Sequence, residues 1–114
     1  MRRLDELPLE PRERAAIEEA TRILRARFPV EEIILFGSKA RGDADEESDI
    51  DLLVLTARAL SRAERHAVYD ALFSLQLRHE VVLSPLIVQG EQWRSDLVSL
   101  LPIHDEIEEH GAVA

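Results

Sequence analysis

The chain has 114 residues, 46% of them hydrophobic, which predicts one compact domain over residues 1–114 with a single modest core. Lys and Arg number 14 against 23 Asp and Glu, and the formal net charge of −9 argues against nucleic acid as the main partner, because phosphate contacts require a basic surface. The absence of cysteine excludes disulfides and thiolate metal sites, and the absence of a long apolar run or a signal peptide predicts a cytoplasmic protein without a membrane partner.

The first half of the chain reads as a helix followed by two strands. Apolar residues recur at helical spacing over residues 12–28, and Pro29 ends that helix because the residue before a proline avoids the helical region. We expect a strand over about residues 32–36 and a short helical turn over 39–41. A second strand, about 50–56, becomes apolar on both faces beyond its first residues, which indicates a central, buried strand.

The second half adds a helix, a third strand and further helices. The pattern S-x-x-E at 61–64 is a capping box and predicts a helix that runs to about residue 78. A third strand is expected over about 80–88, a helix over 91–101, and a last short helix from 102 to 110. The order α-β-α-β-α-β-α-α predicts an α/β fold, a small mixed β-sheet flanked by helices.

Two carboxylates stand together at the start of the second strand. Alternate residues of a strand point to the same face, so Asp49 and Asp51 project side by side. Such a pair is costly to desolvate without a cation, and a divalent ion with oxygen ligands, such as Mg²⁺, is the natural counter-charge. Gly37-Ser38, at the end of the preceding strand, offers backbone N–H groups and a hydroxyl suited to phosphate oxygens. Together these elements predict a nucleotidyl-transfer site.

The same residues resemble the signature of the DNA polymerase beta-like nucleotidyltransferase superfamily, and specifically of its minimal nucleotidyltransferases. That signature is Gly-Ser, ten residues, and Asp-x-Asp, which stands here as Gly37-Ser38, residues 39–48, and Asp49-Ile50-Asp51. The apolar strand before the Gly-Ser element and Ala40-Arg41-Gly42 after it also resemble the family. The resemblance implies the nucleotidyltransferase fold, without a separate acceptor-binding domain.

The resemblance also implies a reaction and a set of roles. A nucleoside triphosphate, expected to be ATP, would lose pyrophosphate as its AMP moves to an acceptor hydroxyl. Asp49 and Asp51 would hold one or two Mg²⁺ ions. Gly37-Ser38 would clamp the β- and γ-phosphates, and Arg41, with Lys39, would add positive charge there.

The third strand of the family usually supplies a third carboxylate, to which the role of base for the attacking hydroxyl is given. Here Val82 and Ser84 occupy the interior positions of the corresponding face. Glu80, at the strand entrance, is the one candidate replacement. We therefore include Glu80 as a predicted catalytic residue.

Other interpretations of the acidic residues are less favoured. The run 43–47 is typical of a solvated loop, and we interpret it so. A calcium-binding EF-hand loop through it would need Gly where Ser48 stands and Glu where Val54 stands. Asp49 and Asp51 could be exposed carboxylates at a strand start, but the Gly-Ser element at the matching distance favours a metal site.

Minimal nucleotidyltransferases of this kind are commonly paired with a helical HEPN-domain toxin, which they neutralise by attaching AMP to a tyrosine. The resemblance therefore predicts protein adenylylation in an antitoxin role, with the acceptor offered by such a partner or by a second copy of the chain in a homo-oligomer. A partner that inhibits by binding alone, without turnover, is the alternative. Transfer to a small molecule is less favoured, because a chain this short has no room for an acceptor lobe.

Overall fold

A five-stranded mixed sheet organises the chain, which the computed structural model describes over residues 1–42 and 49–114. The strands are β1 (Arg2–Arg3), β2 (Val30–Phe36), β3 (Ile50–Thr56), β4 (Leu83–Gln89) and β5 (Ala112–Val113). The helices are α1 (Pro11–Arg27), α2 (Ser38–Arg41), α3 (Arg62–His79), α4 (Gly90–Trp93), α5 (Asp96–Ser99) and α6 (Pro102–His110), with a 3-10 turn at Leu4–Glu6. The acidic run 43–47, for which the sequence predicts a solvated loop, and the following Ser48 lie outside the described residues.

The strands lie side by side in the order β1-β5-β2-β3-β4. Strand β3 pairs antiparallel with β2 and parallel with β4, so it is central, as its uniformly apolar sequence predicts. The register places Asp51 between Phe36 of β2 and Ser84 of β4. The predicted α/β fold with a mixed sheet is therefore confirmed.

The sheet is covered on both faces. Helices α1 and α3 lie on one face and enclose the larger core with alternate residues of the central strands, among them Ile33, Leu35, Ile50, Leu52 and Val54. The other face carries a smaller core, in which Trp93 of α4 and Ile107 of α6 pack on Ile34, Leu53 and Leu55. Because Asp51 alternates with Leu52, it points to this second face, the face of α6.

The long helices begin and end at residues whose chemistry favours those positions. Helix α1 has Pro11 in its first turn and a reciprocal capping box between Glu10 and Glu13. Helix α3 begins at the predicted box, in which Ser61 accepts from the N–H of Glu64 and the Glu64 carboxylate accepts from the N–H of Ser61. No helix of the described residues combines the length and the apolar character needed to cross a bilayer.

Three expectations differ from the structure. The predicted strand 80–88 begins at Leu83, because α3 continues to His79 and Glu80 closes it in a left-handed conformation (φ 55°, ψ 46°). The predicted helix 91–101 is two short helices, since the hydroxyl of Ser95 accepts from the N–H of Val98 and starts a new helix. The two-residue strands β1 and β5, which extend the sheet beyond β2, were not predicted.

Strand β4 is the last strand of this sheet and contains a proline. Pro85 is the register partner of Leu52 in β3. A proline has no N–H to donate and is confined within sheets to edge strands, strand starts and bulges. Its presence within β4 is therefore consistent with the edge position.

Candidate active site

The two predicted metal ligands lie at the entrance of the central strand. Asp51 is the second residue of β3 and is partly buried, whereas Asp49 precedes the strand and is exposed. The hydroxyl of Ser84 donates to Oδ2 of Asp49 at 3.1 Å. Ser84, which is also the register partner of Asp51, therefore lies next to both carboxylates.

The electrostatics of the pair fit a divalent cation. Burial raises the pKa of Asp51 above its ordinary value, and the negative charge of Asp49 raises it further. Arg41 lowers the same pKa and Glu106 raises it, so both lie within electrostatic reach. The described residues contain no cluster of three or more His, Cys, Asp or Glu that could hold a metal. Two carboxylates are nonetheless the usual protein contribution to Mg²⁺ sites that are completed by substrate phosphates and water.

Gly37 brings the predicted phosphate-binding turn against the acidic pair. Its backbone (φ 75°, ψ −156°) lies in a region that is essentially restricted to glycine. A Cβ at this position would collide with Oδ2 of Asp51 and lie 3.2 Å from its Cγ. Only glycine therefore lets the turn approach Asp51 so closely. Ser38 follows as the first residue of α2 and is partly exposed.

The two predicted phosphate-binding cations point to opposite sides of α2. Lys39 is buried and forms an ion pair with Glu13 of α1, in which each side chain is 7% exposed. The contact lies on the α1 side of the sheet, where the next residue, Ala40, joins the larger core. Lys39 thus contributes to the attachment of α2, and its predicted role in phosphate binding remains a prediction.

Arg41 lies on the side of the acidic pair. Its guanidinium forms an ion pair with Glu106 of α6, and the two side chains are 37% and 38% exposed. The sequence did not single out Glu106, because the two residues are 65 positions apart and no local pattern links them. Arg41 is therefore the predicted cation that the structure brings into electrostatic contact with Asp51.

Glu80 does not lie on a strand. It is exposed and is the C-terminal cap of α3, three residues before β4, so strand alternation does not place it on the face of Asp51. It is also the one residue other than glycine with positive φ among the described residues. Such strain is common at functional positions, and the catalytic role of Glu80 remains a prediction.

Comparison with known proteins identifies the family. Residues 17–112 match the sequence profile of the nucleotidyltransferase domain. The chain is 33% identical over 82 residues to "Putative protein adenylyltransferase MJ0141" of Methanocaldococcus jannaschii, a match that covers 72% of this chain and 76% of the relative. The family expected from the Gly-Ser and Asp-x-Asp elements is thereby confirmed.

Solved structures share the fold. A chain from a toxin–antitoxin complex with AMP-PNP superposes with a TM-score of 0.57 at 21% identity, over 87% of this chain and 69% of that chain. A chain from the tri-AMPylated Shewanella oneidensis HEPN toxin in complex with MNT antitoxin gives 0.55 at 19% identity, over 88% and 69%. By sequence profile, curated relative and fold together, the chain belongs to the nucleotidyltransferase domain family.

Proposed function

We propose that the protein transfers AMP from ATP to a hydroxyl of a partner protein in a Mg²⁺-dependent reaction. The observation that carries the proposal is the contact between the two halves of the site. Gly37, in the phosphate-binding turn, lies directly against Asp51, in the acidic pair. A triphosphate held by the turn would therefore lie beside the carboxylates.

The residues of the chain have distinct parts in this reaction. Asp49 and Asp51 would hold the metal, which when bound neutralises phosphate charge and aligns the attacking and leaving oxygens. The first N–H groups of a helix are not used by its own hydrogen bonds, so the turn at Gly37-Ser38 can donate to phosphate oxygens. Arg41 would neutralise the leaving pyrophosphate. The acceptor oxygen bonds to the α-phosphorus, the bond to the bridging oxygen breaks, and the hydroxyl proton passes to a base.

The favoured acceptor is a tyrosine of a helical HEPN-domain toxin, with the chain as its antitoxin. The support comes from relatives: one is named for protein adenylylation, and one solved neighbour contains an AMPylated HEPN toxin. The net charge of −9 suits a basic partner better than a nucleic acid.

Inhibition by binding alone is the second candidate. The observation that favours it is Ser84, which occupies the strand position beside both aspartates and supplies a hydroxyl where a carboxylate would act as base. A site with only two carboxylates would bind Mg-ATP but transfer AMP slowly.

The deciding experiment incubates the protein with its toxin, labelled ATP and Mg²⁺. We expect label on the toxin, and its loss with EDTA or in the variant Asp49→Asn/Asp51→Asn. A tight complex without label under any metal would support the binding-only function. Circular dichroism of the double variant is the control, because an unfolded variant would mean that the pair is structural.

The base is tested at Glu80 with two variants. If Glu80 is the base, Glu80→Gln lowers transfer by ~10²–10⁴-fold and leaves Mg-ATP binding nearly intact. Glu80→Gly removes the carboxylate as well but relieves the positive φ, so it should be equally inactive and more stable by about 1 kcal/mol. Full transfer activity in Glu80→Gly would show that the residue is only a helix cap.

A further inference from the structure

Helices α2 and α6 are joined at two points, the first of which involves the arginine and the glutamate that act on the pKa of Asp51. The first is the ion pair between Arg41 and Glu106. The second is Arg2, whose guanidinium donates to the carbonyl oxygens of Ala40 in α2 and His110 in α6. Since Ile107, the neighbour of Glu106, is fully buried in the smaller core, α6 is firmly anchored. The carboxylate of Glu106 is thus presented to Arg41 from a fixed helix.

This ion pair is in a position to be broken and remade. Its side chains are 37% and 38% exposed, so an incoming anion can reach the guanidinium. A guanidinium fork binds carboxylate and phosphate oxygens in the same planar geometry. A triphosphate held at Gly37-Ser38 would arrive next to Arg41 and would repel Glu106. The guanidinium is therefore placed to pass from Glu106 to the triphosphate.

We propose that Glu106 is a positioning residue that holds Arg41 in the nucleotide-free site and exchanges the guanidinium with the triphosphate. The inference rests on the proposed function, because it takes a nucleoside triphosphate as the second partner. Glu106 competes with the nucleotide for Arg41, which weakens binding. It also recovers Arg41 when pyrophosphate leaves, which speeds release.

The test measures binding of Mg-ATP and of magnesium pyrophosphate by calorimetry in the wild type and in Glu106→Gln. Glutamine keeps the shape of the side chain and removes its charge. We expect both ligands to bind about 10-fold more tightly, because the guanidinium no longer has to leave a charged partner before it binds phosphate. In steady-state transfer, KM for ATP should fall, and where release of pyrophosphate limits turnover kcat should fall with it.

Two comparisons separate exchange from a general charge effect. Glu109→Gln removes the same charge from the same helix at a side chain that is 75% exposed, and should change affinity by less than about 2-fold. In an Arg41→Met background, Glu106→Gln should tighten binding clearly less than in the wild type, because only the repulsion between Glu106 and the triphosphate is then removed.

Several outcomes would overturn the inference. Equal tightening in both Arg41 backgrounds would mean that Glu106 acts through its charge alone. Unchanged or weaker binding by Glu106→Gln would mean that the glutamate does not compete for Arg41. Failure of the wild type itself to bind Mg-ATP would instead reject the proposed function, and the exchange with it.

Discussion

The two ion pairs of α2 invite direct comparison. Lys39 and Arg41 are two residues apart, and each meets a glutamate from a distant helix, Glu13 of α1 and Glu106 of α6. The side chains of the first pair are 7% exposed, whereas those of the second are 37% and 38% exposed. The sequence assigns both cations to the phosphate site, Arg41 first and Lys39 beside it, whereas in the structure the two side chains differ in burial.

The role of a charged side chain on α2 depends on the face of the helix on which it lies. Residues i and i+2 of a helix do not face each other, so the Lys39 and Arg41 side chains leave α2 in different directions. The buried pair cannot open without leaving an uncompensated charge, which makes it part of the scaffold. The partly exposed pair can exchange partners, which makes it available to a ligand.

The largest expected effect on stability is that of breaking the buried pair. Lys39→Met should lower the free energy of unfolding by about 3–5 kcal/mol, because it leaves the Glu13 carboxylate buried without its counter-charge. Arg41→Met should cost less than about 1 kcal/mol, as expected for an accessible pair. Urea denaturation measures both, and equal losses would contradict the comparison.

A second variant keeps that test interpretable if Lys39→Met does not fold. Lys39→Met/Glu13→Gln contains no buried charge, and glutamine retains the capping hydrogen bond to the N–H of Glu10. It should therefore recover most of the lost stability. Its affinity for Mg-ATP then tests whether Lys39 also binds phosphate, since a structural lysine predicts little change.

The next largest effect is expected from substitution of the glycines that flank α2. Gly37→Ala should cost ~1–3 kcal/mol through backbone strain, and its Cβ would displace Asp51, with a loss of nucleotide affinity on the order of 10²-fold. Gly42→Ala is the control, because Gly42 also has positive φ, but an added Cβ there meets no heavy atom of the described residues within 4 Å. It should lose stability and keep its affinity. Equal nucleotide affinities in the two variants would mean that Gly37 is not part of the nucleotide site.

Ser84→Ala should cause a smaller loss of affinity, and the loss should be confined to binding of the metal. Without the hydroxyl, Asp49 loses a 3.1 Å hydrogen bond that orients its carboxylate, and Mg²⁺ affinity should fall about 10-fold. Ser74→Ala, on the outer side of α3, is the control for a lost serine hydroxyl. Titration of Mg²⁺ in the presence of ATP compares the two variants. Unchanged Mg²⁺ affinity in Ser84→Ala would mean that Ser84 is not part of the metal site.

The smallest effect is expected at a third ion pair, between Arg58 and Glu64, whose side chains are 58% and 27% exposed. The hydrogen bond from Arg58, with that from the Ser61 N–H, lowers the pKa of Glu64 from 4.5 to about 2. A lowered pKa in the folded state contributes stability above pH 4.5, and the contribution fades as pH falls towards 2. Thermal melts should thus show Glu64→Gln below wild type at pH 7, with a smaller gap near pH 3. A constant gap would mean that the charge contributes nothing.

The parts of the fold that follow from local chemistry were predictable from the sequence. The capping box at Ser61 and Glu64 placed the start of α3, and the uniform apolar run placed β3 over Ile50–Thr56. Gly37-Ser38 and the acidic pair were recognisable because their spacing and flanking strands carry the signal. Each of these features lies within a short stretch of chain.

What the sequence could not show depends on contacts between distant residues. The burial of Lys39 requires Glu13 from α1, and the position of Arg41 requires Glu106, 65 residues away. Strands β1 and β5 have two residues each, too few for any periodicity. The entrance of β4 was misplaced because Glu80 adopts a left-handed helix cap that residues other than glycine and asparagine rarely take.

Pro85 also has a consequence for the behaviour of the protein at high concentration. An exposed edge strand is a template on which a strand of another molecule can add, which leads to aggregation. In β4, Pro85 is the third residue of a seven-residue strand, and its missing N–H interrupts the hydrogen-bonding row within the strand. A strand added at this edge would therefore lack one hydrogen bond. At the β4 edge, Pro85 thus disfavours the pairing with other strands that would lead to non-specific self-association.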